Sequence, residues 1–520
     1  MGFKWWQYPK YRRYEHLWKT KSIYQEGELT NDLQVNIRML EDAFDYPTNV
    51  ALKQRRFQIR ALQTDAVILY IENAADSRQV ERSIVKPLME MENDPALQQA
   101  GMAPLMFIRE HVLPALALKQ VSTFQEIIME LLHGNTVLLL AQSPLALVAE
   151  TPGFETRNVT TPQVEQAIRG PREAFVESAD VNRSLVRKYI RDASLHCDPV
   201  YFGKHSSNKV YLMYMSNIAS EELVNRVKKR IESIRTDTVS NLFMLEQLIE
   251  ERPYSLLPSV LLTERPDRTA SFLQEGHVAV IMENSPVALI APVTFWALFH
   301  AAEDQYQRWA SGNFMRIIRF LAILITMLIP AVYLAISTFH VEMLPTDLML
   351  AISATRERVP FPVIVEIVFM ELTFELIRES GIRVPAPIGT TIGIVGALVL
   401  GQAAVDANLV SPILVIIVAI TGLASFIVPD ATFNFSIRMQ RFIFIIFGAT
   451  MGFYGIGLYV TFVIAYLVSF TSFGVPFLSP MAPSMHSAKD MIIRPPLTKQ
   501  WMRPANLNPQ DPSKQDKPKG

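Results

Sequence analysis

Phe320–Phe339 reads FLAILITMLIPAVYLAISTF. It is about 20 residues without a charge, the length a helix needs to cross a hydrocarbon core roughly 30 Å thick. Before it, residues 1–310 are charged and periodic; after it, long apolar runs follow one another to Phe473. The stretch therefore divides the chain. An α/β soluble region comes first, and a C-terminal all-α multi-span membrane domain follows, so any function has to couple the two.

Toward the N-terminus, Phe295–Trp309 (FWALFHAAEDQYQRW) is aromatic and charged and leads into Arg316 and Arg319. Aromatic and basic residues at this point predict an interfacial helix over 296–315, with the soluble region on the cytoplasmic side. The soluble region carries an internal repeat. Gly134–Val148 (GNTVLLLAQSPLALV) matches Gly276–Ile290 (GHVAVIMENSPVALI), and Val67–Arg82 matches Tyr211–Arg226 at nearly the same offset. Two such matches predict two copies of one α/β unit, over 56–155 and 201–295. Each contains a buried strand, a polar helix and a closing hairpin, whose turn is Gln142-Ser143 in one copy and Asn284-Ser285 in the other. The linker, 156–200, holds Arg169-Gly-Pro-Arg-Glu-Ala-Phe-Val-Glu-Ser178. Arg169, Arg172 and Glu173 form either an interdomain ion-pair latch or a solvated Gly-Pro turn, and the residues by themselves favour the turn. Residues 1–55 read as an aromatic, basic arm (Trp5, Trp6, Tyr8, Tyr11, Tyr14, Trp18) and a helix; the arm fits a headgroup surface or disorder equally well.

Toward the C-terminus, the membrane domain is placed at 316–483, with about five spans. The helix 363–378, VIVEIVFMELTFELIR, carries Glu366, Glu371 and Glu375 among apolar residues. A carboxylate at mid-bilayer costs at least about 2.5 kcal/mol, so these groups are expected to be paired inside an assembly or near an interface. Glu371, Glu375 and Arg378 share one helical face, with Glu366 nearly opposite. Pro387–Val405 separates into a small face, with Gly389, Gly393 and Gly396, and a second face with Thr391, Val395, Leu398, Gln402 and Asp406. The small face permits close helix packing. Around a symmetry axis the second would give a hydrophobic ring at Leu398 and Val395 and a cation-attracting mouth at Gln402 and Asp406. An ordinary packing helix with a wet end is the plainer reading of the same residues. Phe442–Phe470 is apolar and rich in glycine, and both a kinked single span and a hairpin fit its length. The tail, 484–520, is basic and Pro-rich and reads as disordered.

Composition excludes several classes. The net charge of −1 offers no basic field for nucleic acid. The lone cysteine, Cys197, permits no intrachain disulfide. No phosphate loop, dinucleotide fingerprint, zinc spacing or nucleophile elbow occurs, so no metal, no cofactor and no enzymatic activity are expected.

Several of these stretches resemble the A subunit of the GerA-type spore germination (germinant) receptors. They are Arg169–Glu177 (RGPREAFVE), Thr263–Asp267 (TERPD), Arg358–Pro362 (RVPFP), Glu371–Glu375 (ELTFE), Gly401–Asp406 (GQAAVD) and Ser472–Pro476 (SFGVP). The resemblance covers about residues 60 to 495. Where relatives often carry Gln and Glu, this chain has Thr390 and Asp406. The resemblance implies residence in the spore inner membrane, with a permease-like B subunit and a lipoprotein C subunit as partners. It also implies assembly of the A subunit into a homo-oligomeric ring, a pentamer, acting as a nutrient-gated monovalent cation channel. On that basis Pro387–Val405 lines the pore, Leu398 is the gate, Glu371 and Glu375 lie at subunit contacts, and Arg169–Glu177 regains weight as a latch. A non-conducting scaffold is the alternative. A transporter is disfavoured, because the membrane half shows no repeat of its own.

Overall fold

The computed structural model describes residues 27–91, 104–113, 117–154, 161–204, 208–383, 401–485 and 490–515. Helix α1 (Leu33–Ala43) starts at Asp32, whose carboxylate accepts from the N–H groups of Gln34 and Val35. Then come strands β1 (Leu52–Ile59), β2 (Thr64–Ile71) and β3 (Leu118–Val121), helix α2 (Phe124–Leu132), and strands β4 (Thr136–Leu140) and β5 (Ala146–Ala149). They form one antiparallel sheet in the order β1-β2-β4-β5-β3. All five residues of β4 are buried, because the sheet is covered on both faces. Val67, Leu69, Val137 and Leu139 pack against α1 and α2. Ile68, Leu138 and Leu140 pack against the helical stretches 77–90 and 104–112. Helix α1 thus belongs to the first unit's core, and β1 starts at Leu52, ahead of the expected boundary.

Helix α3 (Ala179–Tyr189) leads into the second sheet, which starts at Leu195 inside the stretch read as linker. It comprises β6 (Leu195–Phe202), β7 (Asn208–Met215), β8 (Leu261–Thr263), β9 (Val278–Met282) and β10 (Ala288–Ala291), in the order β6-β7-β9-β10-β8. Position for position this is the order of the first sheet. Gln142 and Asn284, at the corresponding hairpin turns, both have positive φ. Helices α4 (Glu221–Glu232) and α5 (Leu242–Ile249) cover one face, and α3 and α6 (Pro266–Glu275) cover the other. The units meet where Asn49 donates to the Ala193 carbonyl and where Asp45 accepts from Ser216 and faces His196 at 3.3 Å.

The stretch 296–315 is not one interfacial helix. Helix α7 (Phe295–Phe299) is buried, with Phe295 edge-on to Phe433 and Phe477, because its aromatic rings complete the second unit's core. A short turn, α8 (Glu303–Tyr306), precedes α9 (Trp309–Phe339), one continuous helix that absorbs the predicted boundary. Then follow α10 (Thr346–Arg356), α11 (Val363–Arg383), residues 401–406, α12 (Pro412–Ser425) and α13 (Ala431–Ser469). Among the described residues two helices, α9 and α13, are long and apolar enough to cross a membrane.

Helix α13 folds back on itself at Gly452, where φ is 58° and ψ −138°, a region open essentially to glycine. In a straight helix Gln440 and Tyr459 would stand about 28 Å apart. Instead the Tyr459 hydroxyl donates to Gln440, and its ring lies 4.7 Å from Phe444 and 5.0 Å from Phe447. Both ends of the hairpin return to one loop of the second unit: Ser436 donates to the Leu256 carbonyl, and Tyr466 to Ser255. The tip meets the far end of α9, with His340 against Gly452 and Phe453. The hairpin is therefore the arrangement adopted. After it, Thr471–Pro476 forms a two-stranded ribbon that buries Phe470, Phe473 and Phe477 in the second unit.

The tail is not disordered over 490–515. Arg494 is buried, bonded through its guanidinium to the carbonyls of Gln305 and Gln307 and through its backbone to Asn313 and Trp309. Gln510 bonds to Ile218 and Ala219, and Arg503 to the Gln274 carbonyl. A basic, Pro-rich composition leaves a chain without a core of its own, but not without a surface to dock on.

Candidate functional site

The apolar surroundings of Glu371 and Glu375 dictate that they find cations, and α13 supplies them. Arg441 reaches Glu371 at 2.7 Å and Glu375 at 2.9 Å; Arg438 also pairs with Glu375. Glu371 and Arg441 are 0 % and 1 % exposed, so the pair is removed from water almost completely. These partners lie in the same chain. Arg378 pairs with neither glutamate; its guanidinium bonds to Ser425 and lies 4.3 Å above the Phe426 ring. Glu366, on the opposite face, accepts from the Ser411 N–H at 3.1 Å and stands 3.9 Å from Arg356. The cluster ties α11 to α12 and α13 at one end and at the other. Arg438 and Arg441 are the partners that sequence reasoning missed.

Of the predicted pore face, Thr391, Val395 and Leu398, with Gly389, Gly393 and Gly396, lie outside the described residues. Gln402 and Asp406 are described. Residues 401–406 are helical, Ala404 is buried, and Gln402 and Asp406, one turn apart, are exposed. Among the described residues neither makes an ion pair.

The latch takes a different form from the one expected. Arg169 and Arg172 are exposed and make no ion pair among the described residues, while Glu173 accepts from Lys188 at 2.6 Å and Tyr189 at 3.0 Å. The linker is instead clamped by Thr263–Asp267. Arg265 is held by Asp267 at 2.9 Å and donates to the carbonyls of Glu165 and Pro171. Glu264 accepts from the N–H groups of Gln163 and Val164. Arg268 pairs with Glu165 at 2.7 Å and donates to the carbonyls of Ala297 and His300. The clamp's residues were legible as a motif, but the partner segment, about 100 positions away, carried no pairing signal.

A second buried charge group stands where the second unit meets α9. Arg316 and Arg319, expected at a membrane face, both reach Asp304, and Arg316 also pairs with Asp490 of the tail. Burial by itself would raise the Asp304 carboxyl; its bonds to Arg319 and the charges of Arg319 and Arg316 outweigh that and hold it below the usual range. Burial, reinforced by Arg316, pulls His300 down to about 4, so its neutral ring donates from Nε2 to the Met491 carbonyl. Unit two, the first long helix and the tail are thereby joined through one set of charges. Among the described residues no group of side chains could hold a metal ion.

The model of the Bacillus/Clostridium GerA spore germination protein family matches residues 38–506. Spore germination protein KA of Bacillus subtilis (strain 168) is 39% identical over 86% of this chain and 82% of its own length. Spore germination protein GerLA of Bacillus cereus is 34% identical over 93% of this chain and 97% of its own. The crystal structure of the N-terminal domain of the A subunit of the Bacillus megaterium spore germinant receptor GerK3 is 25% identical, covering 52% of this chain and 98% of that one, with a TM-score of 0.41. The chain belongs to the GerA spore germination protein family.

Proposed function

We propose that this chain is the A subunit of a nutrient-responsive spore germinant receptor, and that copies of it assemble around the stretch 387–406 into a monovalent cation channel. Family membership supports the receptor role. One observation carries the channel: Gln402 and Asp406 are exposed in a chain whose Glu371 and Glu375 are paired internally with Arg438 and Arg441. A polar face with no ion-pair partner among the described residues calls for water or a neighbouring copy. In this reading α9, α11, α12 and the two arms of α13 cross the spore inner membrane, and Pro387–Val405 lines the pore. The soluble units, two copies of one fold, then share the cytoplasmic side with the tail. A permease-like B subunit and a lipoprotein C subunit complete the receptor, and the chain itself catalyses no reaction.

The full chain reconstituted in planar bilayers should conduct potassium, with single-channel conductance lowered by Asp406→Asn. Spores carrying Leu398→Ala at normal protein level should release potassium without nutrient, since a smaller apolar ring wets more readily. Absence of conductance together with normal dormancy of the Leu398→Ala spores would leave the non-conducting scaffold as the function.

A further inference from the structure

The linker over 163–172 is rigid in its backbone and bare in its side chains. Its backbone is fixed by Glu264, Arg265 and the Glu165–Arg268 pair, and Gly170, at φ +117°, lies against the Tyr306 ring. A Cβ there would come within 2.6 Å of that ring. Yet Val164 and Ile168 are 62% and 84% exposed, and Arg169 and Arg172 project into solvent. Among the described residues no carboxylate pairs with them: Glu165, Glu173 and Asp267 already serve Arg268, Lys188 and Arg265. Exposed Arg308 adds a third cation beside Tyr306.

The neighbourhood is the root of α9. Beyond Tyr306 come Trp309, Phe314, Met315 and Ile317, all exposed, ahead of the apolar part of the helix. Trp309 is held in place by its bond to the Arg494 carbonyl. At the same end of the helices, Tyr254 is fully exposed in the loop whose Ser255 bonds to Tyr466. The Tyr306 hydroxyl donates to Asp267, so Tyr306 and Trp309 are anchored through their polar groups and leave part of each ring exposed; arginines beside half-exposed Tyr and Trp rings, at the foot of a spanning helix, are the composition of a membrane–water boundary.

We infer that residues 163–172, with Tyr306, Arg308 and Trp309, form a docking surface for anionic lipid headgroups. The inference rests on the reading that α9 crosses a bilayer. The fixed backbone means that little ordering entropy is lost on contact. The clamp by Thr263–Asp267 would then hold a membrane-touching loop rigidly to the second unit and set that unit's height and tilt against the bilayer.

The test uses the full chain in nanodiscs, with buried Cys197 replaced (Cys197→Ala) and a fluorophore on Ile168→Cys. The discs contain phosphatidylcholine, with or without phosphatidylglycerol, and a headgroup nitroxide quencher. Quenching is expected in the phosphatidylglycerol discs. It should fall about fivefold for each of Arg169→Gln and Arg172→Gln, and vanish near 1 M salt, where the Debye length is about 3 Å. No quenching in anionic discs, or quenching indifferent to both substitutions, overturns the inference. So does self-quenching between copies that the arginine substitutions abolish, which would make a second copy the occupant. A label on Leu324→Cys read with an acyl-chain quencher separates the failures: if it too stays bright, the crossing reading has failed rather than the docking surface.

Discussion

Replacing Arg441 with Met removes the cation that two carboxylates share. At 2.7 Å from Glu371, with an effective dielectric of about 20, the gross attraction is about 6 kcal/mol. Desolvation of both groups offsets much of it, but the variant retains the buried carboxylate and loses the compensation. Breaking such a pair from one side typically costs about 3–5 kcal/mol. The geometry makes the two sides unequal. In Arg441→Met, Glu375 keeps Arg438 but Glu371 is left without its cation. In Glu371→Gln, Arg441 keeps Glu375 at 2.9 Å, so that variant should lose clearly less. The double variant Glu371→Gln/Arg441→Met strands no charge and should recover most of the single Arg441→Met loss. The assay is unfolding of the full chain by SDS titration in mixed micelles, with membrane abundance as the cellular readout. A loss below about 1 kcal/mol for Arg441→Met, or a double variant no better than it, would refute the reasoning.

Arg494→Ala should release the tail from α8 and α9 by removing bonds to two carbonyls, a loss of roughly 3 kcal/mol; limited proteolysis should then cut within 490–515, and unchanged resistance would count against the docked tail. His300 titrates at about 4 in the folded chain and near 6.5 when unfolded, so the unfolded state binds more protons between those values. Stability should therefore fall as pH drops through that window, by at most roughly 3 kcal/mol for this group, and the slope should flatten in His300→Gln; equal slopes would refute it. Gly452→Ala places a Cβ 2.9 Å from His340 Nε2 at a glycine-only backbone angle, and should cost at least about 1–3 kcal/mol and lower membrane abundance. In oriented membrane vesicles a thiol at Ser484→Cys should react from the side that labels Ile168→Cys; opposite sides would mean a single kinked span.

Much of this protein was readable without coordinates. Apolar run length separated Phe320–Phe339 from the soluble half, because spanning a bilayer is a property of local sequence. The Gly-x-x and Ser-Pro correspondences of 134–148 and 276–290 predicted two sheets, and turn chemistry at Gln142 and Asn284 located their hairpins. The outlying carboxylates Glu366, Glu371 and Glu375 announced burial with partners, since an unpaired charge in apolar surroundings is too costly to persist. Tertiary structure decided the rest. Which cation each acid takes depends on which helices become neighbours: Arg441 is 70 positions from Glu371, and no periodicity within either helix encodes that distance. The same holds for the grip of Arg265 on the linker, for the tail that Arg494 pins to α9, and for Gly452, where a glycine-rich stretch allowed both a kink and a reversal and only packing against His340 and Phe444 selected the reversal. Local sequence sets what a segment can bury and where it can turn; the pairing of distant segments is settled by the free energy of the whole assembled core, which no window of the chain contains.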